Sequence, residues 1–184
     1  MSKFVAVVAM IAACFASPSA EAILSKLPYG DSMQIVVSDD LPPLANGDWT
    51  AAHVDWGSDE IHIAPTVLTD DWRSTFGPST DRLSYLVAHE WAHVMQSRRW
   101  NGYGPKVPGY VTDPFLRKAP GWMAIVYASP DPSIPWWEVH ADCVAQVLSG
   151  YSAMGYYVGE QGCSQVQLSD ALAPLLNIGT ADGS

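Results

Sequence analysis

Basic residues are scarce in this chain of 184 residues, where nine Lys and Arg stand against nineteen Asp and Glu for a net charge of −10. A protein that binds nucleic acid needs a basic surface to meet the phosphates, so this balance excludes nucleic acid as a partner. We interpret the acidity as a solubility feature. Long apolar runs are also missing after the first fifteen residues, which predicts no stable membrane insertion of the mature protein.

The first residues have the pattern of an export signal. A basic start precedes an apolar run that ends at Phe15, and Ala20-Glu21-Ala22 then supplies the small residues that a signal peptidase accepts. We therefore predict a signal peptide over 1–22 and a secreted or extracytoplasmic mature domain over 23–184. Two alternatives stay open. One is a buried N-terminal helix, and the other is lipid anchoring at Cys14, which ends a run resembling a bacterial lipobox.

Cysteine is scarce as well, with three residues in the whole chain. Removal of the signal peptide leaves Cys143 and Cys163, an even count in an oxidising compartment, so one disulfide between them is expected. The alternative is that both are buried free thiols, because unpaired cysteines are often found in protein cores.

Turn and periodicity signals divide the rest of the chain into a first part rich in strands and a second part rich in helices. The predicted elements are strands over 33–37, 49–56 and 60–63, and helices over 83–99, 135–150 and 164–173. Residues 101–135 contain seven prolines and four glycines. We expect this segment to be a mostly irregular insertion, with one short ordered piece over 122–127.

The first long helix contains the motif His89-Glu90-Trp91-Ala92-His93. Residues four apart face the same side of a helix, so both imidazoles can bind one metal ion. Glu90 is placed to reach the open coordination position and to act as general base toward a metal-bound water. Two imidazoles and a carboxylate with one open position suit Zn²⁺. The alternative is a solvated helix face without metal, because so short a motif also arises by chance.

The second long helix supplies a candidate third ligand. Glu138 and Asp142 lie one turn apart, so Glu138 can complete a His-His-Glu site while Asp142 accepts a hydrogen bond from a ligand imidazole. His140 points about 200° round the helix from Glu138, so the two cannot both be ligands of first choice. An exposed acidic pair is the alternative reading. His53 and His62 lie among apolar neighbours on predicted strands, and neither is assigned to the metal.

These two motifs resemble those of the gluzincin group of zinc peptidases. More narrowly, residues 89–96 and 138–143 resemble the bacterial neutral zinc metallopeptidases, which combine a histidine motif ending in Gln with a later acidic motif ending in Ala-Asp-Cys. The metzincin pattern is not met, because Gln96 and Arg99 stand where it requires Gly and His. The resemblance implies a single α+β, zincin-like domain, with the following site residues: His89, His93 and Glu138 as zinc ligands, Glu90 as base, and Asp142 bonded to a ligand histidine.

The resemblance also implies hydrolysis of peptide bonds in a peptide or protein substrate by metal-activated water. We expect the strand over 61–64 to lie at the sheet edge and to pair with an extended substrate. Candidate donors to the tetrahedral oxyanion are Tyr151, Tyr156, Tyr157 and His140. Two other functions stay open: a cell-wall peptide amidase or endopeptidase with the same chemistry, and a non-catalytic secreted module that binds metal. The presence of Glu90 argues against the second.

Overall fold

A computed structural model describes residues 18–43, 50–73, 82–100, 119–150, 157–158 and 162–176. Within these residues, a small three-stranded sheet and several helices surround one long helix, which confirms the expected α+β class. The strands are β1 (Gln34–Val37), β2 (Ala52–Val54) and β3 (Glu60–Ile63). The helices are α1 (Ala20–Leu24), α2 (Asp70–Arg73), α3 (Arg82–Trp100), α4 (Met123–Val126), α5 (Trp136–Ser149), α6 (Gln165–Asp170) and α7 (Ala173–Leu176).

The sheet has the order β1-β3-β2, with β1 parallel and β2 antiparallel to β3. The prediction that residues 61–64 form the edge strand is therefore wrong, because β3 is paired on both sides. Its central position follows from its side chains. Ile61 and Ile63 are completely buried, whereas β1 has no buried residue and β2 has only Val54, and these two strands lie at the edges.

Helix α3 is the centre of the fold, with fifteen of its nineteen residues buried. A helix that is buried on nearly all sides must be enclosed by other elements, and α3 packs against α1, β2, β3 and α5. Hydrogen bonds fix its rotation. Trp91 Nε1 donates to the Pro28 carbonyl, and Ser97 Oγ accepts from the N–H of Gly57, in the turn between β2 and β3. Near the helix end, Arg98 forms an ion pair with Asp59.

Helix α5 has the boundaries that the sequence predicts. It begins directly after Pro135 and ends before Gly150, whose φ of 71° lies in the left-handed region that glycine adopts without strain. Helix α6 begins with the predicted capping box of Ser164 and Gln167. It ends at Asp170 rather than at 173, and Pro174 lies in the first turn of the separate helix α7, where a missing N–H costs no helical bond.

Helix α1 lies at the end of the predicted signal peptide. The Ser19 hydroxyl caps it by accepting a hydrogen bond from the N–H of Ala22, and its buried residues are Ala20, Ile23 and Leu24. The predicted cleavage point after Ala22 thus falls inside this helix. Residues 1–17, with Cys14, lie outside the described residues, as do residues 101–118 of the predicted insertion. The short ordered piece predicted near Trp122 is present as α4.

Candidate metal centre

Three ligand atoms from two helices meet beside α3. His89 and His93 lie one turn apart on α3, and their Nε2 atoms are 3.1 Å from each other. The Oε2 atom of Glu138, in the first turn of α5, lies 3.1 Å from Nε2 of His93 and 3.3 Å from Nε2 of His89. Among the described residues, this is the group of His, Cys, Asp and Glu side chains that could hold a metal ion. It is also the ligand set that the sequence predicts.

The proton on His89 is located by Asp142, whose Oδ1 lies 3.0 Å from Nδ1 of the imidazole. A carboxylate only accepts hydrogen bonds, so Nδ1 carries the proton and Nε2 presents its lone pair to the centre. Asp142 is completely buried and has three further donors. The Tyr85 hydroxyl donates to Oδ1 at 2.7 Å, and the backbone N–H groups of Tyr157 and Val158 donate to Oδ2. His89 is therefore held by a carboxylate that is itself fixed.

The proton on His93 is located by Gln96, whose Oε1 lies 2.9 Å from Nδ1 of the imidazole. The orientation of the amide is set at its other end, where Nε2 donates to the carbonyl of Trp137 at 2.9 Å. Because that carbonyl only accepts, the amide oxygen must face His93 and accept from Nδ1–H. Nε2 of His93 is thus the lone-pair atom, as in His89.

The resulting centre fits a small divalent cation. When each ring carries its proton at Nδ1 alone, two nitrogen lone pairs and a carboxylate oxygen converge, and such acceptors repel one another unless positive charge lies among them. Tetrahedral zinc with ligands at about 2.0 Å places those ligands about 3.3 Å apart, close to the 3.1 to 3.3 Å between these atoms. Three protein ligands also leave the fourth position of a tetrahedron open, as catalytic zinc sites require.

The ionisation of the ligands shows the same demand for positive charge. Burial lowers the pKa of His89, but its hydrogen bonds to Asp142 and Glu138 outweigh this and raise the pKa well above its ordinary value. For Glu138 burial favours a higher pKa, yet the charge of His93 and the hydrogen bonds from both histidines hold the pKa far below its usual range. The site therefore keeps its carboxylate ionised and favours positive charge beside it, which a bound cation would supply in place of a second proton on each imidazole.

Glu90 lies next to His89 on α3 and is 6 % exposed. Burial raises the pKa of its carboxyl, while the charges of His89 and His93 partly oppose this shift. A carboxylate whose pKa is raised above its ordinary value holds a proton more readily near neutral pH. This is the property that a general base needs in order to take a proton and pass it on.

His53 and His62 do not belong to the metal-binding group. They face each other across β2 and β3. Each lies near a carboxylate close by in the chain: Nε2 of His53 is 3.3 Å from Oδ1 of Asp55, and Nε2 of His62 is 3.3 Å from Oε2 of Glu60. Neither histidine was expected in the metal site, and neither belongs to the group that could hold a metal ion.

The candidate oxyanion donors have different outcomes. His140 is wrong for this role, because it is completely buried and its two ring nitrogens lie 2.9 Å from Gln96 Nε2 and from the Ala171 carbonyl. Tyr157 lies beside the centre, with its ring stacked on that of His89 at a centroid distance of 5.8 Å. Tyr151 and Tyr156 lie outside the described residues.

Cys143 and Cys163 are joined by a disulfide, which confirms the pairing expected from the sequence. Cys143 follows Asp142 on α5, and Cys163 lies just before α6. The N–H of Cys163 also donates to Oε1 of Gln146, one turn further along α5. The bridge therefore ties the helix that carries Glu138 and Asp142 to the next segment of the chain.

Two polar side chains of the centre were not assigned a role from the sequence, although helical spacing marks both and Gln96 ends the motif that carries the resemblance. Tyr85 lies four residues before His89 and Gln96 three residues after His93, so both are on the metal-facing side of α3. The signal for both in the sequence is a polar residue one turn before or after the motif. The contact of His140 with Ala171 depends on the packing of α6 and α7, which local spacing does not reveal.

Comparison with protein-family models, with curated proteins and with solved structures gave no match for this chain. In the part of the chain that the structure describes, none of the helices combines the length and the apolar character that crossing a bilayer requires. Function must therefore be inferred from the side chains of the metal centre themselves.

Proposed function

We propose that this chain is an exported zinc peptidase with a zincin-like fold, in which His89, His93 and Glu138 bind zinc and Glu90 is the general base. The observation that carries the proposal is the convergence of two imidazole lone pairs and one carboxylate oxygen, with Glu90 adjacent. A purely structural metal site has no need of a general base such as Glu90. The intramolecular disulfide supports an oxidising compartment, and hence export.

The sheet offers a place for an extended substrate. Ala51 accepts a hydrogen bond from Ala64, and in an antiparallel pair such bonds alternate, so the backbone groups of Ala52 and Val54 point away from β3. Among the described residues, no strand pairs with that side of β2. Just after β2, Trp56 lies with its ring 6.1 Å from that of His93. A peptide paired with β2 would therefore pass close to the metal centre.

The proposed reaction is hydrolysis of a peptide bond. Bound zinc supplies Lewis acidity, which lowers the pKa of water and polarises the scissile carbonyl. Glu90 accepts a proton from the attacking water as its oxygen bonds to the carbonyl carbon. The carbon–nitrogen bond then breaks, and Glu90 returns the proton to the leaving amine. Asp142 and Gln96 hold the two imidazoles in place throughout.

The test measures metal content and peptide cleavage on the purified full chain. We expect about one zinc per chain and cleavage of denatured casein or of a peptide library. This cleavage should stop when a chelator removes the metal. Glu90→Gln should keep the zinc and lose at least about a hundredfold in turnover, because proton transfer contributes that much. Glu60→Gln, on the exposed side of β3, is the matched control and should cleave normally.

Two outcomes would overturn the proposal. Near-normal cleavage by Glu90→Gln would show that Glu90 is not the base. Stoichiometric zinc with no hydrolysis of any peptide would identify a binding module instead. Glu138→Ala tests the ligand set separately: it should weaken zinc binding more than any change in a residue that only supports a ligand.

A further inference from the structure

A continuous chain of hydrogen bonds runs from the metal centre into the core. His93 Nδ1 is 2.9 Å from Gln96 Oε1, and Gln96 Nε2 is 2.9 Å from both the Trp137 carbonyl and His140 Nδ1. His140 Nε2 then lies 2.9 Å from the Ala171 carbonyl. The chain thus links α3, α5 and the residue between α6 and α7.

The protons in this chain can be placed from its far end. The Ala171 carbonyl only accepts, so Nε2 of His140 carries a proton and Nδ1 of the neutral ring accepts. The amide nitrogen of Gln96 carries two protons. It donates one to Nδ1 of His140 and the other to the Trp137 carbonyl. Its oxygen then accepts from His93 Nδ1–H. Rotation of the amide by 180° would break all three of its bonds, so the tautomer of His93 is determined.

Burial strengthens this chain of hydrogen bonds. Gln96 and His140 are both completely buried, so water does not compete for their hydrogen bonds. Two aromatic rings also pack against the ring of His140. Tyr127 packs edge-on at a centroid distance of 4.7 Å, and the Trp100 ring lies at 5.7 Å.

We propose that Gln96 and His140 are positioning residues that fix the tautomer and the ring orientation of His93 for metal binding. The inference rests on the metal-binding part of the proposed function and does not require peptidase activity. Without Gln96, Nδ1 of His93 has no acceptor, so the proton can move to Nε2 or the ring can turn. Without His140, only the Trp137 carbonyl holds the amide of Gln96, so the amide can turn away from His93. Partners of this kind contribute 10–100-fold to metal affinity.

The decisive comparison is between two substitutions of His140. In His140→Asn the side-chain oxygen takes the place of Nδ1 and accepts from Gln96, but the ring is lost from its aromatic surroundings. In His140→Phe the ring is kept and the acceptor is lost. If His140 only fills space, Phe should be the better replacement. If His140 positions Gln96, Asn should be the better replacement.

The experiment measures zinc affinity of the full chain by competition with a chromophoric chelator. We expect His140→Asn to bind zinc within about threefold of the wild type, and His140→Phe and Gln96→Met to bind 10–100-fold more weakly. Gln146→Met is the matched control: it removes a second buried glutamine, on α5, that bonds to Cys163 and not to the histidines.

Nitrogen-15 chemical shifts of the imidazole rings give a second readout that packing alone does not move. In the zinc-free chain, at a pH where the ring is neutral, they should show His93 protonated at Nδ1 in the wild type and in His140→Asn, and a mixture of tautomers in His140→Phe. The inference is overturned if Phe preserves zinc affinity better than Asn, or if Gln146→Met weakens binding as much as Gln96→Met. A wild-type chain that binds no zinc would instead refute the proposed function.

Discussion

The Oδ1 atom of Asp142 on α5 lies 3.0 Å from the Nδ1 atom of His89 on α3, so one buried carboxylate joins the two helices that supply the metal ligands. The same carboxylate accepts hydrogen bonds from a tyrosine hydroxyl and from two backbone N–H groups. It has no capacity left for water, and it therefore both orients the imidazole and holds the helices together.

Asp142→Asn should weaken zinc binding 10–100-fold, because the amide has one acceptor oxygen where the carboxylate has two. Either His89 and Tyr85, or the N–H groups at 157–158, then face an NH₂ group. Chelator competition measures the affinity. Tyr85→Phe is the control, since it removes one donor and leaves the carboxylate on His89. Equal losses in the two variants would contradict this role for Asp142.

The disulfide should stabilise the fold. Its cysteines are separated by 20 residues, and chain entropy for a loop of that length gives about 3 kcal/mol. The double variant Cys143→Ala/Cys163→Ala should lose about that much free energy of unfolding in urea, whereas Cys14→Ala should lose none. Intact-mass analysis of exported protein, alkylated without reductant, should find no alkylation of Cys143 or Cys163. Two additions on the mature chain would show that the bridge is absent.

The buried ring of His140 should make the protein sensitive to acid. Burial lowers its pKa from 6.5 to about 3, despite the hydrogen bond to the Ala171 carbonyl. Between about pH 6.5 and about pH 3 the imidazole of His140 is protonated in the unfolded chain and neutral in the folded chain. The free energy of unfolding should therefore fall as the pH falls through that range.

Urea unfolding of the metal-free full chain at several pH values measures this effect, with His140→Asn as the reference. The wild type should lose more stability than the variant over that pH range. His89 and His93 have raised pKa values and act in the opposite direction, but they are common to both proteins, so their effect cancels in the difference. If the free energy of unfolding falls equally with pH in the two proteins, the lowered pKa of His140 is contradicted.

The parts of the site that lie within one helix could be predicted from the sequence. The i, i+4 spacing of His89 and His93 places both rings on one side of α3, and the same spacing relates Glu138 to Asp142 on α5. The boundaries of α5 were also predictable, because Pro135 and Gly150 mark them chemically. That the two helices meet at the ligands was expected from the paired motifs, and the distances agree.

The parts that depend on neighbours in space could not be predicted. The position of β3 between β1 and β2 depends on how the strands pair in space, and local alternation of side chains does not contain that information. The capped turn of α1 is only five residues long, too short for periodicity to detect. From the sequence alone His140 remains a candidate oxyanion donor, because its acceptor, the Ala171 carbonyl, lies 31 residues away along the chain.

Helix α5 is engaged in several directions around its axis. Glu138 faces the ligand histidines, His140 faces Gln96, Asp142 faces His89, and Cys143 is bridged to Cys163. A shift of register by one residue would turn the helix by about 100° and break all four attachments at once. The helix therefore has no low-energy way to roll or slide. The ligand side chains are therefore in position before an ion binds, so little conformational freedom is lost on binding.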